Sequence, residues 1–214
     1  MEILQVRIAT VFMLDPALHL FIRKLGEKGY ITPRVRPTLE GVDIGFIEPP
    51  SVIAGAPAGV IAGKGNIKID YNLVRRALGI ESPIPEEVIK AVNEVEDILK
   101  EIGIDLKQKA LIPYEVIVIA EEFLKPKFED NVYLFEDILG FNLRLAKTSF
   151  IMDKGDPSSN KWFHMEIFPL WGAYKPEEKK NPHRLTITYR DEKSKLLNFL
   201  EHLEDILKKL IDKV

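Results

Sequence analysis

The chain encodes an α+β protein built on a mostly antiparallel sheet with long helices on one face, and three observations predict it. Short runs rich in Val, Ile and Thr are separated by Gly, Pro and polar turns, the pattern of hairpin-connected strands. Two long stretches, 88–102 and 196–210, carry apolar residues at helical spacing. The order strand, helix, strand, strand, helix also occurs twice. We therefore expect two tandem units, 1–108 and 109–214, packed as one globular body.

Residues 5–14 read as the first strand, and Asp15-Pro16 supplies an N-cap acid followed by Pro at the first helical position. Leu18, Phe21, Ile22 and Leu25 then line one helix face that stops at Gly26 or Gly29. Residues 42–47 form the second strand, ended by Pro49-Pro50, and 60–71 the third, bent or bulged at Gly63-Lys64-Gly65. A short helical stretch at 73–78 leads into a linker over 79–85. Val88, Ile89, Val92, Val95, Ile98, Leu99 and Ile102 give the stripe of a long helix, and Gly103 stops it.

In the second half, 114–120 is a strand and 130–139 a helix closed by Gly140. Residues 141–152 form a long strand, which the polar turn 153–161 hairpins to a strand over 162–168. A charged loop at 172–183 leads to the strand 184–190, and the chain closes on a helix over 192–213.

The repeat shows as an offset. Val95-Glu96-Asp97-Ile98-Leu99-Lys100 aligns with Leu203-Glu204-Asp205-Ile206-Leu207-Lys208 at a spacing of 108. There each stripe residue of the first long helix meets an apolar residue of the last: Leu196, Leu197, Leu200, Leu203, Ile206, Leu207 and Leu210. Ile8 likewise meets Val116, and Val11 meets Ile119. Any two amphipathic helices align once in phase, and Glu-Asp-Ile-Leu recurs at 136–139. The matching order of elements is what carries the expectation of a duplication.

Composition excludes several classes of function. Apolar residues make up 46% and charged residues 29%, as in a folded globular chain. Thirty basic against 33 acidic side chains, net −3, create no strong long-range field, so neither nucleic acid nor a membrane is an expected partner. The absence of cysteine removes disulfides, thiolate nucleophiles and Cys-based zinc sites. The first residues lack the basic start and apolar stretch of a signal peptide, and no apolar run could span a bilayer, so the expected location is the cytoplasm. Only Gln5 and Gln108 represent glutamine beside abundant Ile, Lys and Glu, a hyperthermophile-like composition.

Strand alternation sorts side chains into faces. Phe163, Met165 and Ile167 point to the core, and Trp162, His164, Glu166 and Phe168 point away. Leu185, Ile187 and Tyr189 do the same against Arg184, Thr186, Thr188 and Arg190. Arg144 belongs to the polar face of 141–152, and Arg7 to that of the first strand. With helices behind the sheet, the open face thus collects Trp162, His164, Glu166, Arg144, Arg190 and Arg7. That set could bind an anionic or aromatic ligand. It is equally the composition of a solvated face laced with cross-strand ion pairs. Trp171, Tyr174 and His183 flank the charged loop and extend the candidate surface.

Other chemistry lacks its parts. Gly59-Val60-Ile61-Ala62-Gly63-Lys64-Gly65 is one residue short of a phosphate loop and is followed by a strand, not a helix N-terminus. No serine sits in a nucleophile elbow. His164 and Glu166 could share a metal only with a third ligand such as His183, and the spacing matches no ligand pattern, so neither metal nor cofactor is expected. No stretch matches a family motif. The apolar stripe of the last helix, widened by Phe199 and Ile211, predicts a homodimer. The reading that follows is a binding protein using the open sheet face for a small-molecule or protein partner. The alternative is a small enzyme with His164 and Glu166 as acid–base pair and Arg144 or Arg190 holding an anionic substrate.

Overall fold

The structure, a computed structural model, describes residues 1–12, 14, 17–38, 41–44, 51–53, 56–106, 112–125, 133–135, 143–144, 148–152, 156–173, 175 and 178–212. At 36–38, 41–44, 51–53, 56–58, 112–113, 133–135, 143–144 and 148 the description covers the backbone only.

The elements run β1 (Glu2–Val11), α1 (Leu18–Glu27), β2 (Val35–Thr38), β3 (Gly41–Ile44), β4 (Ser51–Ile53), β5 (Ala56–Lys64), β6 (Ile67–Asn72), β7 (Ala77–Ser82) and α2 (Pro85–Glu101). They continue as β8 (Ile112–Leu124), β9 (Tyr133–Phe135), β10 (Leu143–Arg144), β11 (Thr148–Ile151), β12 (Trp162–Pro169), β13 (Asn181–Asp191), α3 (Lys193–Glu201) and α4 (Leu203–Ile211).

The fold is α+β: among the described residues, one open antiparallel sheet of eight strands, β11-β12-β13-β8-β1-β7-β6-β5, with four helices. A three-residue ladder adds β4 beyond β5. β2–β3 and β9–β10 form separate two-stranded ladders. At the centre β1 and β8 run antiparallel, with Val6 opposite Val118 and Ile8 opposite Val116. Reading outward from β1 the chain order of the strands is first, last, middle, and reading outward from β8 it is the same. The helix after each outward series begins at Pro85 and at Lys193, 108 residues apart.

Alternation decides what each strand buries. Val6 and Ile8 of β1, Leu78 and Ile80 of β7, Val116 and Val118 of β8, Met165 and Ile167 of β12, and Leu185 and Ile187 of β13 all enter one core. Against them pack Val88, Ala91, Val92, Val95, Ile98 and Leu99 of α2, with Leu196, Phe199, Leu200, Leu203 and Leu207 of α3 and α4. An aromatic chain, Phe163–Tyr189–Phe199, joins β12, β13 and α3 edge to face at 5.9 and 5.3 Å between centroids. Glu96 of α2 accepts from Tyr114 of β8 and from Lys193 of α3, both at 2.6 Å, and so ties the halves together.

The helix ends follow local chemistry. Pro85 occupies the first turn of α2, and Glu86 and Glu87 face its positive end. Ser82 Oγ accepts from the Ile84 N–H and donates to Glu87, holding the entry of the chain. Gly103 takes φ +80°, a left-handed exit that lets the Ile104 N–H reach back to Leu99 O. Leu18, Phe21, Ile22 and Leu25 of α1 are buried as their spacing requires.

Several expectations need correction. Residues 60–71 are not one bent strand but the hairpin β5–β6, because Gly65 at φ +60° closes a tight turn. No helix forms at 73–78. The Asn72 side chain accepts from the Val74 and Arg75 N–H groups, Arg76 adopts φ 53°, and the resulting turn feeds β7 where a linker was expected. Residues 133–135 are strand β9, not helix, since they ladder with β10; the rest of that expected helix lies outside the described residues. The expected strand over 141–152 is present as two pieces, β10 and β11, in different sheets. The last helix breaks at His202 (φ −113°, ψ 17°), whose ring N–H donates to Asn198 O. Its wide stripe is consumed by the monomer: Leu196, Phe199, Leu200, Leu203 and Leu207 are buried, and Leu197, Ile206, Leu210 and Ile211 pack against the same core. That stripe therefore carries no argument for a dimer. Among the described residues no helix is long and apolar enough to cross a membrane.

Candidate functional site

The face of the sheet opposite the helices is built by the alternate residues of seven strands. From β1 come Gln5 and Arg7, from β7 Gly79 and Glu81, and from β6 Lys68 and Asp70. On the other side of the centre stand Glu115, Ile117, Ile119 and Glu121 of β8, with Arg184, Thr186, Thr188 and Arg190 of β13 in register. Trp162, His164, Glu166 and Phe168 of β12 follow, and Ser149 and Ile151 of β11 complete the row.

The arginines of this face are engaged. Arg7 donates to both oxygens of Asp70 at 2.8–3.3 Å, and the pair is only 8% and 3% exposed. Burial of both charges makes this a structural pair, since each would be left uncompensated without the other. Arg184 donates through Nε and Nη2 to Glu121 Oε1, the shorter contact being 2.6 Å. Arg190 donates through Nε and Nη2 to Glu115 and through Nη1 to the carbonyls of Pro157 and Ser159. With all three guanidinium nitrogens occupied, Arg190 clamps the turn at 156–161 onto the sheet rather than presenting a vacant anion fork.

His164 and Glu166 do share the open face, each a little over a quarter exposed. Ser149 Oγ lies 2.7 Å from His164 Nε2, and Glu166 Oε1 lies 3.8 Å from the same nitrogen. A serine, a histidine and a carboxylate are thus adjacent, but hydroxyl and carboxylate address one ring nitrogen. A nucleophile relay needs the acid on the opposite nitrogen, so that the base is oriented while its other nitrogen takes the proton. The trio can hydrogen-bond a ligand. It does not form that relay.

The remaining candidates are dispersed. Trp162 sits on the open side, with its ring 6.3 Å from that of His164, yet is 9% exposed and offers no aromatic platform. His183 is not a loop residue. It lies in β13 on the core-facing side, fully buried, with Nδ1–H donating to Asn181 O at 2.8 Å. Arg144 belongs to β10, in a ladder separate from the large sheet, so it does not stand beside Arg190 on one strand row. Trp171 is 64% exposed in a turn. Tyr174 lies outside the described residues. Among the described residues no group of three His, Cys, Asp or Glu side chains could hold a metal ion. The Gly59–Gly65 stretch is strand and turn, with no helix N-terminus behind it.

Sequence reasoning missed a feature of the same face. An open depression of about 460 Å³ lies over the central strands, lined by Gln5, Lys68, Glu81, Ile119 and Arg184, with Leu4 at its rim. Gln5 donates to Glu81 across its floor at 2.7 Å. The signal available in the sequence was Leu4, which interrupts the alternation of β1. The β1–β8 register shifts between Ile3 and Gln5, a bulge that places Leu4 beside Gln5 in the depression. By contrast, the space between α2 and the sheet at Ile8, Val92, Val95 and Leu106 amounts to about 10 Å³, too little for any ligand. No protein-family model, curated protein or solved structure matches this chain.

Proposed function

We propose that this chain is a binding protein whose contact surface is the helix-free face of the sheet, centred on the depression over β6, β7, β1, β8 and β13. The observation that carries this reading is the depression itself: an open volume of about 460 Å³ with Lys68 and Arg184, Glu81 and Gln5 arranged around Ile119. Charges of both signs around an apolar floor suit a small ligand that carries both an amino and a carboxyl group, such as an amino acid or short peptide. The acid–base alternative draws less support, because His164 stands on strand β12, outside that depression, and its hydroxyl and carboxylate neighbours share one nitrogen.

A nitrogen-15 NMR titration with a panel of free amino acids and dipeptides tests this. Saturable shifts clustering on the amides of Gln5, Lys68, Glu81, Ile119 and Arg184, and abolished by Glu81→Lys, are expected. Saturable binding that maps instead to the helical layer, or no saturable binding by any member of the panel, would overturn it.

We also infer that the two halves descend from one unit of four sheet strands and the helix that follows them. The support is the shared outward strand order and the 108-residue spacing of the helix starts at Pro85 and Lys193. At that spacing the buried Val88, Ala91, Val92, Val95 and Leu99 of α2 fall on the buried Leu196, Phe199, Leu200, Leu203 and Leu207, and buried Ile98 falls on the partly buried Ile206. Ile8 and Val116, counterparts at the same spacing, stand directly opposite each other across β1 and β8, where a two-fold axis between copies would pass.

A further inference from the structure

We propose, resting on the binding reading above, that the depression takes an unblocked peptide of two or three residues and not a free amino acid. The peptide lies across the strands, with its ammonium at Glu81 and Gln5 and its carboxylate at Arg184. The shape of the depression is the first reason. Its lining runs from Lys68 of β6 through Glu81 of β7, Gln5 of β1 and Ile119 of β8 to Arg184 of β13, five neighbouring strands. Four spacings of about 4.8 Å make a trough about 19 Å long, crossing the strands instead of following one.

Each end of the peptide has its own chemistry. Gln5 donates through Nε2 to Glu81 Oε2 at 2.7 Å. The Gln5 carbonyl oxygen and the Glu81 carboxylate are then neighbouring acceptors, and a primary ammonium brings three donors to them. On the far side, Arg184 commits Nε and Nη2 to Glu121 Oε1, and Nη1 takes no part in that contact. The Arg184 side chain is 39% exposed, so a guanidinium already anchored by Glu121 can give a carboxylate a charge-assisted hydrogen bond. Arg190 cannot do the same, because Glu115 and two carbonyls occupy all three of its nitrogens.

The distance between the ends selects the ligand. The Gln5–Glu81 contact lies between β1 and β7, and the Arg184–Glu121 contact between β13 and β8, two strand spacings away. Gln5 stands opposite Ile119 and Arg184 opposite Glu121, so the contacts are also offset by two residues along the sheet. About 10 Å across and about 7 Å along combine to about 12 Å. One residue spans about 3.5 Å, and hydrogen bonds of about 3 Å at both ends still leave a free amino acid short. Two or three extended residues span about 7 to 10 Å and close the gap. Their side chains then cover Leu4 and Ile119, the apolar part of the lining. Lys68 is the other cation, but it stands directly opposite Glu81. A ligand bridging those two alone would leave Leu4 and Ile119 uncovered.

Isothermal titration calorimetry of the full chain tests the proposal with leucine, leucyl-leucine and leucyl-leucyl-leucine, each peptide also as its N-acetyl and C-terminal amide forms. At least one unblocked peptide is expected to bind at least tenfold tighter than leucine, and either block should weaken it at least tenfold. Arg184→Gln should abolish the difference between acid and amide while keeping the penalty for acetylation. Glu81→Gln should do the reverse. Leucine binding as tightly as the peptides, or blocked peptides binding as tightly as free ones, would overturn the proposal while leaving the depression a binding site. No saturable binding by any of these probes would overturn both. An amide penalty that survives Arg184→Gln would remove Arg184 as the carboxylate partner and overturn the assigned orientation. Should either variant fail to fold, the blocked and free peptides on the wild type decide, and equal affinities overturn the proposal.

Discussion

The guanidinium of Arg7 on β1 occupies the space that a side chain on Gly79 of β7 would need. A Cβ at Gly79 would stand 2.1 Å from Arg7 Nη2 and 2.5 Å from Asp70 Oδ2. The glycine is therefore there for close approach, so that a charged pair can lie flat on the sheet between its neighbours. Gly79→Ala is expected to destabilise the fold by about 3 kcal/mol, since it either overpacks the site or breaks a buried ion pair. Arg7→Ala should cost a similar amount by stranding Asp70. In the Arg7→Ala background the further cost of Gly79→Ala should fall by at least about 1 kcal/mol, because the closer of the two colliding groups is gone and the Asp70 carboxylate is no longer held against Gly79 by its partner. Equilibrium denaturation of the four proteins checks this, and additive costs would contradict it.

Phase along β12 separates two neighbouring residues by consequence. Glu166→Ala removes a partly exposed side chain from the open face and is expected to change stability by less than about 0.5 kcal/mol. Ile167→Ala, at a fully buried position, should cost about 2–5 kcal/mol, and Phe163→Ala, half-buried against Tyr189, about 3. A severe loss at Glu166 with tolerance at Ile167 would mean the strand phase is inverted.

Two tyrosines should resist alkaline titration. Burial, aided by hydrogen bonds to Glu94 and Glu96, raises the phenols of Tyr30 and Tyr114 well above their ordinary value. A group raised in the folded state lends stability that is complete below its unfolded value and fades as pH climbs through the window between the two. Stability should therefore hold up to about pH 10 and decline above it as the unfolded chain ionises first. Absorbance at the phenolate band of Tyr30→Phe and Tyr114→Phe variants should match that of the wild type up to about pH 11, because neither phenol has ionised by then. A loss of phenolate signal in either variant near pH 10 would contradict the two hydrogen bonds.

The halves should not fold separately. β8 pairs along one side with β13 and along the other with β1, where Val116 and Val118 meet Ile8 and Val6. A fragment of 109–214 would expose that edge and lose the α2 surface against which α3 packs. We expect it to show no cooperative melt alone and to regain one on mixing with 1–108. A sharp independent transition would show instead that each half owns a sufficient core.

The sequence by itself determined which side chains turn inward. Periodicity on α1, α2, β12 and β13 depends only on the backbone repeat, so Phe21, Val92, Met165 and Ile187 were readable as core without any partner. The hairpin at Gly65 and the turn at Asn72 were obscured, because turn chemistry there competes with a helical or continuous-strand pattern of apolar residues. What only the tertiary structure decided is the fate of the polar face. Arg7 and Arg190 read as vacant anion holders because their partners Asp70 and Glu115 lie 63 and 75 residues away. Register between distant strands sets those distances, and a one-residue slip would have aimed the same charges elsewhere. The depression beside Gln5 has the same origin, since a bulge in one strand and the spacing of four others shape it together.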